Sequence, residues 1–178
     1  PVIEVDFSFP ICETMQELEW MRPKLKAAGF SGDAYYEGVI DEMSDNGELG
    51  VQMVDHKTTS TLVGDKRKGE AKSIPSKFWD SFRPHGAVPM YCWASAKVIG
   101  KPVRTALING IGVNKGDICL ATHAFDLTPM EIEEARLRVL QEIAHFLDSK
   151  AQGTTYAQFN PDSCNDYNKP CAYLQLCR

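Results

Sequence analysis

The sequence predicts an α/β domain: a mixed, mostly antiparallel central sheet flanked by helices. Three observations predict it. Val2 to Phe9 alternates, with Ile3, Val5, Phe7 and Phe9 on one side and Glu4, Asp6 and Ser8 on the other, which is the period of a half-buried strand. Two apolar runs flank the polar stretch Ser44-Asp45-Asn46-Gly47, and Asn-Gly between such runs marks a tight hairpin because both residues tolerate positive φ. Thr128-Pro129-Met130-Glu131 has the makings of a helix start, with Thr as N-cap, Pro in the first turn and Glu three residues after the cap.

At 178 residues the chain is long enough to bury a core as one domain, residues 1–178. Hydrophobic content of 43% and charged content of 24% place it with ordinary globular proteins. No apolar run reaches the length of a membrane span and no signal peptide is visible, so a cytoplasmic protein without a membrane partner is expected. The start at Pro1 suggests a trimmed or processed chain, or an N-terminally truncated piece of a longer one. The net charge of −5 argues against a general nucleic-acid coat and leaves room for a local basic surface. Six cysteines are unevenly spread: Cys12, Cys92 and Cys119 stand alone, while Cys164, Cys171 and Cys177 crowd the C-terminus. That pattern points to a reducing compartment, with the C-terminal trio as a candidate metal or cluster site.

Taken in order, the strand at Val2 to Phe9 leads to a helix over Glu13 to Ala28, with Met15, Leu18, Met21 and Leu25 at helical spacing and Pro23 expected to kink or break it. Tyr35 to Asp41 and Leu49 to Lys57 are the second and third strands, an antiparallel meander with the first. Thr58 to Ser76 has no period and reads as a basic loop carrying Lys66, Arg67, Lys68 and Lys72. Lys77 to Gly100 is helical with a break at Gly86 and Pro89. Pro102 to Val113 and Ile118 to Phe125 form a second hairpin about Asn114-Lys115-Gly116-Asp117. The last helix runs from Thr128 to about Ser149, with Ile132, Val139, Leu140, Ile143, Phe146 and Leu147 on its apolar face.

The candidate chemistry lies on the second and third strands. Asp41 is expected near the outer end of one and Asp55 near the outer end of its partner, about 4.8 Å apart between strands, so that the carboxylates converge on one hard cation. Side chains alternate, so Lys57 shares a face with Asp55 and His56 points away. A divalent ion there lowers the pKa of a bound water and neutralises charge on a phosphate, and a lysine beside it stabilises the transition state. The bland counterpart is a solvated hairpin with a surface ion pair. The loop around Lys66, Arg67 and Lys68 would supply the sequence-independent grip on a phosphate backbone, or be a solvated loop. His56, His123 and His145 read as structural or surface histidines, and Glu37 as a surface carboxylate. Gly110 and Gly112 lack the Lys-Ser/Thr of a phosphate loop.

The longer pattern, Gly38-Val39-Ile40-Asp41, then a hairpin, then a hydrophobic run closing on Asp55-His56-Lys57-Thr58-Thr59, resembles the PD-(D/E)XK nuclease superfamily, and within it the RecB/AddB-type branch that includes phage and CRISPR-associated exonucleases. The resemblance implies a restriction-endonuclease-like core and a Mg²⁺- or Mn²⁺-dependent deoxyribonuclease, an exonuclease acting on DNA in repair, recombination or phage DNA processing. It places the protein in a bacterial or phage-infected cell, within a larger recombination complex or as a homo-oligomer. Asp41 and Asp55 match the family's metal-binding acids and Lys57 its catalytic lysine. Tyr91 matches the tyrosine of Q-x-x-x-Y, with Ala87 where the glutamine would stand; packing in the core is its alternative role. Three C-terminal cysteines spaced C-x₆-C-x₅-C resemble the 4Fe-4S tail of the iron–sulfur branch, residues 159–178 forming a clasp around Cys164, Cys171 and Cys177, with Cys12 as the upstream fourth ligand. Structural Zn²⁺ and free thiols are the alternatives for that tail. No His lies upstream of Asp41, where the family carries a further metal ligand. Two rival functions stay open: a catalytically impaired nuclease-fold scaffold that binds DNA, and a zinc-stabilised interaction module.

Overall fold

Strands β1 (Val2–Pro10), β2 (Tyr35–Asp45) and β3 (Val51–Thr59) form the expected antiparallel run, and β4 (Thr105–Asn114) and β5 (Asp117–Asp126) complete a five-stranded sheet in the order β1-β2-β3-β4-β5. The structure is a computed structural model, and it describes residues 2–47, 50–64, 69–82 and 87–154. Every neighbouring pair is antiparallel except β3–β4, which is parallel from Gln52↔Thr105 to Thr59↔Gly112. A parallel pair cannot be joined by a tight turn and needs a crossover. The segment between β3 and β4 supplies one, carrying α2 (Ser76–Asp80) and α3 (Ala87–Ile99). With α1 (Met15–Ala27) and α4 (Pro129–Ala151) this is the mixed, mostly antiparallel sheet flanked by helices that the sequence predicts.

The described residues fall into two compact units. The first holds the chain up to Ile11 and Ala34–Arg138, and so the whole sheet. In it α3 packs against β1, β2, β3 and β4. Its Val88, Met90, Cys92, Trp93, Ala94 and Ser95 are all buried, which suits a helix apolar nearly all round. Trp93 stands edge-on to Phe9 and Tyr36, at 6.2 and 6.0 Å between centroids. Burial of the Cys92 thiol among these residues pushes its pKa up to about 12. On β4 the buried positions alternate, Ala106, Ile108, Gly110 and Gly112, so one face of that strand is the core face. Arg136, in the first half of α4, is buried as well: its Nη1 donates to the Ile11 carbonyl at 2.8 Å, and its Nε and Nη2 donate to Glu133 at 2.9 and 2.6 Å.

The second unit holds Cys12–Asp33 and the described chain from Val139 onward. Thr14 caps α1 and forms a full capping box with Glu17. Met21, Leu25, Leu140, Ala144 and Leu147 are buried, and Lys24 Nζ bonds both oxygens of Asp148 at 2.8 and 2.6 Å. Pro23 neither breaks nor ends α1. Glu19, whose carbonyl loses its i+4 partner there, is exposed like Pro23 itself, so the missing bond falls on the wet side.

Both predicted hairpins form, one of them by a different turn. Lys115 (φ 47°) and Gly116 (φ 86°) join β4 to β5 between the paired Asn114 and Asp117, the two positive φ values of a type I′ turn. Between β2 and β3 the tight Asn46-Gly47 turn is not what is found. β2 continues past Asp41 to Asp45 and β3 begins at Val51, so the connection runs from Asn46 to Gly50. Asp45 Oδ1 accepts from the Gly47 N–H at 2.8 Å, the Asn46 N–H donates to the Gly50 carbonyl at 3.1 Å, and Gly50 takes φ 73°. The Asp45 side chain thus starts the turn and a second glycine closes it. Among the described residues no helix is long and apolar enough to cross a membrane.

Candidate active site

The β2–β3 ladder ends at Glu42↔Val54, well short of where either strand stops. One further step of the same register would set Asp41 opposite Asp55. Both acids therefore stand inside their strands, where the two strands part, rather than at the strand ends that the sequence predicts. The irregularity begins on the next strand over. Glu4 of β1, facing Asp41 between the pairs Ile3↔Glu42 and Val5↔Ile40, has φ 51°, a left-handed backbone unusual for a glutamate. Along β2 the buried positions change phase at the same place, from Ile40 to Met43. Freed from a regular ladder, Asp41 turns its carboxylate onto β3: its Oδ2 accepts from the His56 N–H at 3.0 Å, in place of a backbone carbonyl.

Asp55 and Lys57 lie two apart on β3, on one face, as expected. Lys57 Nζ donates to Asp55 Oδ1 at 2.7 Å. Asp55 is only 6% exposed, and its Oδ2 is buried with no hydrogen-bond partner. An isolated buried carboxylate oxygen is costly unless it is paired or coordinates a cation. Lys57 is 43% exposed at its side chain, so its ammonium reaches from the acid to solvent. The pair Asp41 and Asp55, with one unpartnered buried oxygen, fits a hard divalent cation, which takes carboxylate oxygens and completes its shell with water. Among the described residues no group of three or more His, Cys, Asp or Glu stands together.

The register continues the site across the sheet. Lys57 pairs with Gly110 and Asp55 with Ile108, and Ile108 pairs with His123 of β5. A Cβ on Gly110 would lie 2.6 Å from Trp79 Cη2 and 2.7 Å from Ile74 Cδ1, so the bare strand is what lets α2 and the segment before it lie on β4 beside Lys57. Gly112 has the same role under Leu62. The preceding loop folds back on itself through the Val63↔Ser73 bridge and a bond from Lys72 Nζ to the Gly64 carbonyl. On the opposite face of the sheet the His56 ring lies 3.4 Å from Asn109 Nδ2 and 3.8 Å from Glu42, and Thr122 donates to Asn109 at 2.7 Å. The sequence places His56 away from the acids, and its ring is. Its backbone N–H, which no pattern of side chains reveals, is the group that holds Asp41.

Tyr91 is half-buried on α3, close enough to Tyr36 that its phenol opposes ionisation there. Burial first, and Tyr91 second, push the Tyr36 pKa up to about 12. Lys66, Arg67 and Lys68 lie outside the described residues, as do Cys164, Cys171 and Cys177. Cys12 is buried at the start of the second unit. A shallow depression of about 510 Å³, lined by Asp6, Phe7, Ser8, Glu37, Gly38 and Val39, opens on β1 and β2 and includes none of the three site residues.

No family model matches the chain, and no curated protein matches it. Among solved structures, the crystal structure of a putative exonuclease from Eubacterium rectale is similar at 14% identity with a TM-score of 0.38, the match covering 92% of this chain. The chain spans 63% of that protein's length.

Proposed function

We propose that the protein hydrolyses phosphodiester bonds in DNA with the help of a divalent cation, as a Mg²⁺- or Mn²⁺-dependent exonuclease of DNA repair, recombination or phage DNA processing. The observation that carries the reading is the buried, unpartnered Oδ2 of Asp55, whose other oxygen already holds Lys57. Asp55 Oδ2 and Asp41 would hold the cation, and the His56 N–H keeps the Asp41 carboxylate turned toward β3. When bound, the cation supplies Lewis-acid polarisation of a phosphate oxygen and a water of lowered pKa. Lys57, fixed at its Asp55 end and open to solvent, orients the attacking water and offsets charge growing on the phosphate. Lys66, Arg67 and Lys68 would grip the backbone of the strand.

The test is incubation of the purified chain with end-labelled single- and double-stranded DNA in Mg²⁺, in Mn²⁺ and in EDTA, with Lys57→Ala alongside. The expected result is degradation in either metal, none in EDTA, and a loss of about 10²-fold or more in Lys57→Ala. That variant still unfolds cooperatively but melts lower, because the buried Asp55 Oδ1 loses its partner. Cleavage by Lys57→Ala at the parent rate would remove the assignment of the site.

A further inference from the structure

Beside Lys57 the structure gathers aromatic rings that the fold alone does not require to be open. Trp79 stacks on His123, centroids 5.4 Å apart and planes 21° from parallel. His123 leans on Phe125 at 4.6 Å, while Phe78 joins Trp79 at 4.8 Å and Phe82 at 5.2 Å. Phe125 is buried, which accounts for the inner part of the group as core. Trp79, Phe78 and Phe82 are only half-buried and His123 is exposed, so the stack ends in solvent at the imidazole. Its placement is set by Gly110, the residue paired with Lys57: the indole edge occupies the space that a side chain at 110 would take, on the face carrying Asp55 and Lys57. Neighbouring strands are about 4.8 Å apart, so the indole and the catalytic lysine are next to each other across one strand spacing.

We propose that the Trp79–His123 stack is a platform on which the terminal base of a single-stranded DNA rests while its phosphate reaches the Asp41–Asp55–Lys57 site. This rests on the nuclease reading of that site and gives it a substrate class. An aromatic face takes any base, because every base has a π-face, and it can take one only when the base is unstacked from its neighbours and unpaired. The platform therefore selects for an open strand end and against an internal base pair, without reading sequence. His123 contributes the exposed ring, and Trp79 fixes that ring from behind.

The probe is a short single-stranded oligonucleotide with 2-aminopurine at its end, titrated in EDTA so that no cleavage competes. A second oligonucleotide has the same length and phosphates but an abasic terminal residue. The parent is expected to quench the terminal 2-aminopurine. His123→Ala, at an exposed position, is expected to bind the base-bearing strand about tenfold more weakly and the abasic strand like the parent. Trp79→Leu is expected to do the same where its melting temperature shows it folded, and His123→Ala decides where it does not. Absence of quenching by the parent, equal affinity of parent and His123→Ala for the base-bearing strand, or equal losses on both strands would overturn the platform. The cleavage assay separates the two readings. Metal-dependent degradation with an unaffected His123→Ala leaves the nuclease and removes the platform, whereas base-dependent binding without degradation in any metal does the reverse.

Discussion

Among the described residues of the first unit two charged side chains are buried, and the protein treats them differently. Arg136 is 1% exposed, and its Nε, Nη1 and Nη2 each reach an oxygen, two on Glu133 and one on the Ile11 carbonyl. Asp55 is 6% exposed, with one oxygen on Lys57 and the other on nothing. A buried ion with a partner at every nitrogen holds the structure together, and one that is half satisfied carries a desolvation cost that a ligand would relieve. The first arrangement is expected where a helix must be tied to a strand end. The second is expected where a cation or substrate is to be bound, because the ligand then relieves a penalty the folded chain already carries.

The comparison breaks first on stability. Arg136→Met keeps most of the apolar volume but leaves the Ile11 carbonyl without its donor, and it should lower unfolding free energy by about 3–4 kcal/mol in a denaturant titration. Asp55→Asn should leave stability in EDTA unchanged or slightly higher, since it removes a charge that is only half paired. Equal losses in the two variants would mean that the orphan oxygen of Asp55 carries no special cost.

How much of this contrast the sequence shows depends on how local its causes are. The Thr128–Glu131 cap and the Asn114–Asp117 turn are set by residues within four positions of each other, and both form as read: Thr128 Oγ1 accepts from the Glu131 N–H at 3.2 Å, and Glu131 reaches back to the Thr128 N–H at 2.7 Å. Asp41, Asp55 and Lys57 are legible as a set because side-chain alternation puts Lys57 on the Asp55 face and the hairpin puts Asp41 near them. What is not legible is the parting of β2 from β3. It coincides with a left-handed glutamate on β1 and with a backbone N–H at His56, neither of which has a signature in the order of residues. Arg136 reads as one more exposed charge on an amphipathic helix until Ile11 is brought to it. His123 likewise reads as structural, since Trp79 reaches it only because Gly110, on a third segment, carries no side chain.

Alkaline pH sharpens the contrast from the side of groups that must stay neutral. Burial raises the Cys92 thiol from 9 to about 12, so above pH 9 the unfolded chain loses that proton while the folded chain keeps it. Its contribution is fully present below pH 9 and is lost as pH rises toward 12, amounting to about 2–3 kcal/mol by pH 11. Tyr36, raised from 10 to about 12 by burial and by Tyr91, adds to the loss in the same direction above pH 10. Denaturant titrations between pH 8 and 11 should show this decline, and Cys92→Ala should flatten its first part. A flat parent profile would mean that the thiol opens to water without unfolding.

Metal linkage tests the cost at Asp55 directly. If Asp55 Oδ2 is held for a cation, Mg²⁺ or Mn²⁺ at about 100 times its dissociation constant should stabilise the parent by about 2.7 kcal/mol, seen as a rise in melting temperature. Asp55→Asn should show little of that rise, and Arg136→Met should show all of it from a lower starting point. A full rise in Asp55→Asn would place the cation elsewhere.

The smallest effect concerns Ser95, among the described residues the other buried side chain with an unpartnered oxygen. It differs from Asp55 in two ways. It is uncharged, so the desolvation it suffers is modest, and it is fully buried on α3 with Met90, Cys92, Trp93 and Ala94. An orphan of this kind is a packing compromise, and Ser95→Ala should be neutral or stabilising by up to about 1 kcal/mol, with the metal-linked rise unchanged. A loss of more than about 1 kcal/mol would show that the hydroxyl bonds back to a carbonyl of its own helix. Ser95 would then be satisfied like Arg136, and among the described residues Asp55 would be the buried group left open.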